Sequence, residues 1–155
     1  MAAHDMELIL WRHADAEDGT PDAARALSKK GREQVQAMAR WLKDRLPKQP
    51  RILSSPAVRA ADTAAGLKLP VTTTEKLDVG AAAADVLAAA GWPSAGGTVV
   101  VVGHQPTLGR VAALLVSGEE ADWSIKKGAV WWFTSRARAG RRQVTLHAVM
   151  APDLL

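Results

Sequence analysis

Two short apolar runs constrain the fold of this chain more than any other feature. Thr98-Val99-Val100-Val101-Val102 carries four consecutive valines between glycines, and Leu8-Ile9-Leu10-Trp11 carries four large apolar residues without a polar break. A strand with one face in water alternates apolar and polar residues, whereas an unbroken short apolar run is typical of a strand buried on both faces. The sequence therefore predicts a parallel sheet that is covered by helices on both sides.

The other segments supply helices and strands in alternation. Four segments have helical spacing or alanine-rich composition: 29–46 (after the N-cap Ser28), 57–67, 80–90 and 106–116. Four others are β-prone: 51–54, 70–74, 129–134 and 143–149. This order predicts a three-layer α/β/α fold, with a mostly parallel sheet and a C-terminal antiparallel hairpin. We expect the 155 residues to form a single domain.

The composition excludes several classes of site and location. The chain has no cysteine, which excludes disulfides and thiolate metal sites. No apolar run approaches the roughly 20 residues that a membrane span needs. Residues 1–5 are short and polar, without the apolar stretch of a signal peptide. These features predict a cytoplasmic protein that does not associate with a membrane.

The chain carries a net charge of +4, and many of its basic residues fall into two clusters. One cluster spans 40–51 and the other lies around Gly140, over 136–142. Neither cluster is accompanied by a nucleic-acid-binding motif, so we interpret both as solvated surface and expect no nucleic-acid partner. The mildly positive field does favour anionic substrates.

Basic side chains follow three of the predicted strands, close to the point where each strand ends. Arg12 and His13 follow the first strand, His104 follows the valine strand, and Arg59 comes shortly after the strand at 51–54. The carboxyl ends of parallel strands meet at one edge of a sheet, so we expect these four side chains to share a pocket. Two guanidinium groups match the oxygens of a phosphoryl group, which makes this set a candidate phosphoryl-binding site.

A metal site is the alternative interpretation of two histidines, because imidazole is a common metal ligand. Here each histidine has a cation as a predicted neighbour, and neither an HxH nor an HExxH spacing occurs. We therefore expect no metal and no other cofactor. A neutral imidazole facing a phosphoryl group can act instead as a nucleophile, while fixed cations neutralise the equatorial oxygens. This hypothesis has His13 attack phosphorus, followed by hydrolysis of the covalent intermediate.

A leaving group also needs a proton, and five carboxylic acids are candidates for the general acid. They are Asp15, Glu17 and Asp18 after the nucleophile, and Glu75 and Asp78 after the extended segment. The sequence does not choose among the five. A phosphohistidine substrate lessens the demand for an acid, because imidazole leaves more easily than an alkoxide.

Five motifs, in this order along the chain, resemble the histidine phosphatase superfamily, and within it the SixA-type protein-phosphohistidine phosphatases. They are Arg12-His13 after a strand, Leu27-Ser28-x-x-Gly31, Ser55-Pro56-x-x-Arg59-Ala60-x-x-Thr63, Gly103-His104-Gln105-Pro106 and Lys127-Gly128-Ala129. The resemblance implies the phosphoglycerate-mutase-like fold. It also implies that His13 is the phosphorylated nucleophile, that Arg12 and Arg59 bind the phosphoryl oxygens, and that His104 hydrogen-bonds those oxygens.

The chain departs from the pattern of the superfamily at three points. Ala14 replaces the glycine that usually follows the histidine, and Gln105 replaces an asparagine. The insertions with which larger members enclose their substrates are missing, so the pocket is expected to be shallow and open. The resemblance thus implies hydrolysis of phosphohistidine on a partner protein. A small phosphate ester as substrate, or a binding module without turnover, are the alternatives.

Overall fold

The computed structural model describes residues 5–155, in which strands and helices alternate until the final hairpin. The strands are β1 (Met6–Arg12), β2 (Arg51–Ser54), β3 (Val71–Thr73), β4 (Gly97–Gly103), β5 (Val130–Arg138) and β6 (Arg141–Met150). The helices are α1 (Lys29–Lys43), α2 (Val58–Ala65), α3 (Ala83–Ala90) and α4 (Thr107–Ser117). Residues 1–4, part of the polar segment assessed above for signal-peptide character, lie outside the described residues.

The six strands form one sheet in the order β3-β2-β4-β1-β5-β6. The pairs β3–β2, β2–β4 and β4–β1 are parallel, whereas β5 is antiparallel to β1 and to β6. The α/β fold with a mostly parallel sheet and a terminal antiparallel hairpin is therefore confirmed. β1 lies between β4 and β5, near the centre of the sheet, so its carboxyl end is surrounded by other elements.

The two apolar runs are unbroken because each face of the sheet has its own core. Leu8 and Leu10 of β1 point into one cluster with Val101 of β4, whereas Ile9 and Trp11 point into the other. Helices α3 and α4 cover the first face, and α1 and α2 cover the second. Successive residues thus point alternately into the two helical layers, which is why no polar residue interrupts the central strands.

The helix and strand boundaries differ from the predicted ones mainly at the hairpin. Ser28 caps α1 as predicted, since its Oγ accepts from the Gly31 backbone N–H at 3.0 Å. The terminal strands extend beyond the predicted 129–134 and 143–149, until Arg138 pairs with Arg141. The two connecting residues, Ala139 and Gly140, have positive φ angles of 50° and 76°. A two-residue turn of this handedness matches the twist of the flanking strands, so the ladder continues into the basic segment.

Gly31 allows the loop after β1 to pack against the start of α1. A Cβ atom at this position would overlap the carbonyl oxygen of Asp15. That carbonyl accepts the Ser28 backbone N–H at 3.0 Å, and the Asp15 N–H donates to Gln34 Oε1 at 2.9 Å. The Leu27-Ser28-x-x-Gly31 motif therefore both caps α1 and fixes the loop that follows the first strand.

We expect Gly31→Ala to lower the free energy of unfolding by about 1–3 kcal/mol, because the added methyl group would overlap the backbone carbonyl of Asp15. Urea denaturation of the variant and the wild type measures the change. Gly103→Ala is the matched control, since a Cβ there lies at an ordinary 3.6 Å from the Leu108 side chain. Equal losses in both variants would contradict the packing explanation.

No helix within residues 5–155 is long and apolar enough to cross a membrane.

Candidate active site

Three neighbouring strands end side by side at one edge of the sheet. Arg12, the last residue of β1, lies opposite Gly103, the last residue of β4. The His13 N–H donates to the Gly103 carbonyl at 3.0 Å, and the Ser55 N–H donates to the Val102 carbonyl at 3.0 Å. The residues that immediately follow these strands are thus fixed to one another through backbone hydrogen bonds.

A polar cleft of about 260 Å³ opens at this edge. The four basic side chains that the strand-end pattern singled out all line it: Arg12, His13, Arg59 and His104. The centroids of the two imidazole rings are 5.2 Å apart. Ala16, Asp18, Arg25, Val79, Gln105 and Lys127 complete the lining. Side chains from three distant segments of the sequence therefore meet in a volume suited to a small anion.

The His13 side chain is buried and neutral, with one ring nitrogen left for chemistry. Its Nδ1 lies 2.8 Å from the Ala14 carbonyl oxygen, and because a carbonyl only accepts, Nδ1 carries the proton. The lone pair is then on Nε2. Burial lowers the pKa of His13 to about 4, and the nearby charges of Arg59 and Arg12 add to the effect. At neutral pH the ring is therefore a neutral base with Nε2 unprotonated.

Thr63 links the backbone after His13 to α2. Its Oγ1 accepts the Ala14 N–H at 3.1 Å and donates to the Arg59 carbonyl at 2.8 Å. The Arg59-Ala60-x-x-Thr63 spacing is the one-turn separation on a helix that permits this link. Ala14 does not adopt a left-handed backbone conformation, so its side chain causes no backbone strain at this position.

Both arginines are anchored through the far end of the guanidinium. Arg12 Nη1 donates to the Ile125 carbonyl at 2.8 Å. Arg59 Nη1 and Nη2 donate to the Asp22 carbonyl at 2.9 Å and to Asp22 Oδ2 at 3.1 Å. The Nε atoms of both arginines are buried and have no hydrogen-bond partner among residues 5–155. Buried donors in native proteins are normally paired, so a bound oxyanion would supply acceptors that the protein itself does not provide.

His104 lies close to His13 and is held by a hydrogen bond to Ser55. Its Nε2 lies 2.7 Å from Ser55 Oγ, and its buried Nδ1 has no partner within residues 5–155. Burial lowers the pKa of His104 to about 4, and the charges of His13 and Arg59 act in the same direction. The carboxylate of Asp78 acts against the shift. His104 is therefore a second neutral imidazole with an unpaired ring nitrogen.

Gln105 fixes the loop after α4 through both ends of its side-chain amide. Its Nε2 donates to the Trp123 carbonyl at 2.8 Å, and its Oε1 accepts the Gly109 N–H at 2.7 Å. The same loop carries Ile125, whose carbonyl anchors Arg12. Gln105 thus supports the arginine from a distance while it also lines the cleft.

The five candidate acids occupy different positions relative to the cleft. Asp18 lines it, and Asp78 precedes the lining residue Val79 and acts electrostatically on His104. Glu17 and Glu75 are exposed and do not line the cleft.

Asp15, the fifth candidate acid, points into a hydrogen-bonding network instead of the cleft. Its Oδ2 accepts Ser28 Oγ–H at 2.6 Å, and its Oδ1 accepts from Lys127 Nζ at 2.9 Å. These two bonds, that to Ser28 first, hold the pKa of Asp15 below its usual range. A carboxyl group in this setting is ionised at neutral pH and poorly suited to donate a proton.

The strand-end pattern missed two residues in the loop between β1 and α1. Arg25 lines the cleft, and Asp22 bonds both Arg25 and Arg59. The sequence signal that could have indicated them is the spacing of an acid and a base three residues apart, Asp22 and Arg25, shortly before the Leu27-Ser28 motif. No group of three or more His, Cys, Asp or Glu residues able to hold a metal ion occurs in the described part of the chain.

Comparisons with known proteins agree with the geometry. Residues 8–80 match the model of the histidine phosphatase superfamily, branch 1. The phosphohistidine phosphatase SixA of Escherichia coli strain K12 is 33% identical over 126 residues, which cover 74% of this chain and 76% of that protein.

Solved structures extend the match to almost the whole chain. A SixA phosphohistidine phosphatase candidate from Nakamurella multipartitia has a TM-score of 0.78 at 25% identity, covering 97% of this chain and 98% of the other. The protein histidine phosphatase SixA in complex with tungstate has a TM-score of 0.72 at 27% identity, covering 96% and 99%. Sequence motifs, sheet topology and these relatives agree, and the chain belongs to the histidine phosphatase superfamily.

Proposed function

We propose that this protein is a metal-independent phosphatase that removes the phosphoryl group from phosphohistidine on a partner protein. The observation that carries the proposal is the cleft itself, where the neutral His13 imidazole faces two guanidinium groups with unpaired Nε donors. The names of the relatives support the substrate class, since the Escherichia coli protein is a phosphohistidine phosphatase and the tungstate complex is of a protein histidine phosphatase.

In the first step, His13 Nε2 attacks phosphorus and the P–N bond of the substrate breaks. The electron pair of that bond leaves with the substrate imidazole, which takes up a proton. Arg12 and Arg59 neutralise the equatorial oxygens through their unpaired Nε donors, which replaces the charge that a metal ion provides in other phosphoryl transfers. His104 donates to a further oxygen when its proton is on Nδ1.

In the second step, the oxygen of a water molecule attacks phosphorus on the phosphorylated His13, the new P–N bond breaks, and the protons of the water stay with the phosphate. Inorganic phosphate is released, and the electron pair returns to Nε2. The Ala14 carbonyl accepts Nδ1–H throughout at 2.8 Å, which holds the ring in one tautomer and stabilises the positive charge of the intermediate. Splitting the displacement in this way replaces one difficult step by two easier ones.

Asp18 and Asp78 are the proposed proton donors. A comparison of substrates with different leaving groups tests which of them donates the proton. Asp18 lines the cleft, and Asp78 lies close enough to influence the pKa of His104. Loss of the true acid should slow hydrolysis of an alkyl phosphate far more than hydrolysis of phosphohistidine. Asp18→Asn and Asp78→Asn, each assayed with both substrates, identify it.

Initial rates on a phosphohistidine-bearing protein and on an aryl phosphate, each with and without EDTA, test the proposed function. We expect the phosphohistidine protein to have the higher kcat/KM and EDTA to have no effect. A preference for the aryl phosphate would indicate a small-molecule phosphomonoesterase. Binding of the phosphoprotein without release of phosphate would indicate a binding module. Either outcome would contradict the proposal.

The low pKa of His13 predicts that activity persists well into the acid range. Since the neutral ring is the nucleophile and the pKa is lowered to about 4, the rate should fall only as the pH drops through about 4. An unshifted histidine would lose activity near pH 6.5. Initial rates between pH 3.5 and 8, corrected for spontaneous hydrolysis, measure the midpoint. A midpoint close to 6.5 would contradict a buried, neutral His13.

A further inference from the structure

One carboxylate, that of Asp22, contacts two of the arginines that line the cleft. Asp22 lies in the short 3₁₀ turn Asp22–Ala24 of the loop between β1 and α1. Its Oδ2 accepts Arg59 Nη2 at 3.1 Å and its main-chain oxygen accepts Arg59 Nη1 at 2.9 Å. Its Oδ1 accepts Arg25 Nε at 3.0 Å. Both carboxylate oxygens and the carbonyl are thus engaged by side chains that line the phosphoryl-binding cleft.

The burial of the two partners differs sharply. The Arg59 side chain is 4% exposed, whereas the Asp22 side chain is 59% exposed. Solvent screens an exposed carboxylate, so its contribution to stability through this pair is small. Its geometric effect is larger, because a guanidinium is planar and rigid, and two fixed Nη atoms fix the plane of the whole group.

Fixing the plane of Arg59 also fixes the direction of its remaining donors. A guanidinium has five N–H groups, of which Asp22 takes one on each Nη atom. The Nε–H has no hydrogen-bond partner among residues 5–155, and it is the donor assigned above to the phosphoryl oxygens. Arg25 donates from Nε to the second carboxylate oxygen of Asp22, and from Nη1 to the Glu17 carbonyl at 3.2 Å. The turn at Asp22 is therefore hydrogen-bonded to both arginines.

We propose that Asp22 is a positioning residue that aims Arg59 at the transferred phosphoryl group without touching that group itself. The proposal rests on the proposed phosphatase function and adds a residue to its machinery. Asp22 acts through Arg59, as a carboxylate that orients a cation.

The direction in which oxyanion binding changes on removal of Asp22 separates a positioning role from a simple charge effect. A carboxylate close to the cleft repels an oxyanion, so if charge alone mattered, removal of Asp22 would strengthen oxyanion binding. If Asp22 orients Arg59, its removal weakens oxyanion binding, because the guanidinium loses its fixed direction. Orthovanadate, which resembles the phosphoryl group in transfer, is the probe.

Three variants measure the effect by competitive inhibition with orthovanadate and by kcat and KM on the phosphohistidine protein. We expect Asp22→Ala to weaken orthovanadate binding and to lower kcat, each by about 10–100-fold, as for other groups that orient a binding residue. Asp22→Asn keeps an amide oxygen as acceptor for Arg59 and should restore part of the loss. Asp62→Asn is the control, an exposed carboxylate on α2 three residues beyond Arg59. It should behave as the wild type.

A double-mutant cycle tests whether Asp22 acts through Arg59. In an Arg59→Ala background, Asp22→Ala should change orthovanadate binding by no more than about twofold, because its target is gone. Thermal unfolding of each variant separates this result from a loss of fold. The proposal is overturned by tighter or unchanged orthovanadate binding in Asp22→Ala, by equal losses in the alanine and asparagine variants, or by additive effects in the cycle.

The proposed function can fail separately from this proposal. A wild-type protein that neither binds orthovanadate nor releases phosphate would refute the phosphatase function, and the role of Asp22 would fall with it. An active wild type with an unaffected Asp22→Ala variant would refute the role of Asp22 alone.

Discussion

Replacement of His13 by alanine is expected to lower phosphohistidine hydrolysis by about 10⁴-fold or more while the protein stays folded. Among residues 5–155, His13 supplies the only Nε2 lining the cleft that has no hydrogen-bond partner, and a methyl group cannot form a bond to phosphorus. The remaining arginines still bind the substrate, so KM should change far less than kcat. Steady-state rates, with circular dichroism as the check on folding, measure the effect.

A second histidine provides the control for this variant. His147 lies on β6, is exposed, and contacts the edge of Trp132 away from the cleft. His147→Ala should retain the wild-type rate. Appreciable turnover by His13→Ala would exclude His13 as the nucleophile, and a similar loss in both variants would point to an effect on folding.

Replacement of Arg12 by alanine is expected to lower kcat/KM by about 10²–10³-fold, the range found when a preorganised donor to a transition-state oxygen is removed. Arg12 is the last residue of β1 and is anchored by the Ile125 carbonyl at 2.8 Å, while its Nε has no partner in the described part of the chain. Arg12→Lys keeps the charge but loses the planar fork, so it should recover only part of the activity. Rates for both variants on the phosphohistidine protein measure the difference.

The control for Arg12 is an arginine outside the cleft. Arg110 on α4 forms an exposed ion pair with Asp122 at 2.8 Å. Arg110→Ala removes the same charge and should leave kcat/KM within about twofold of the wild type, as expected for an exposed pair. If Arg12→Lys were as active as the wild type, charge alone would account for the role of Arg12.

The sheet was predictable because the composition of its central strands indicates that they are buried on both faces. The runs at 8–11 and 98–102 lack polar residues since each face meets a separate helical layer. Arg12, His13 and His104 could be brought together from sequence because each follows such a strand directly. The hairpin was underestimated because arginines at 136–142 gave no β signal, whereas the Ala139-Gly140 turn carries the ladder to its tip.

The supporting contacts of the cleft could not be read from sequence. Asp22 lies 37 residues from Arg59 in a loop, and nothing in its local pattern indicates that pair. Thr63 and Gly31 belong to recognisable motifs, but their roles depend on where α1 and α2 meet the segment after His13. Such contacts arise from tertiary packing, which local residue patterns do not encode.

The most direct test of the account is to trap the covalent intermediate. The protein is mixed briefly with the phosphohistidine protein, quenched in alkali, where phosphohistidine is stable, and analysed by peptide mass spectrometry. We predict a phosphoryl group on His13, absent from a parallel sample of His13→Ala. Phosphate release by the wild type with no label on His13 at any mixing time, or with the label on another residue, would contradict the account.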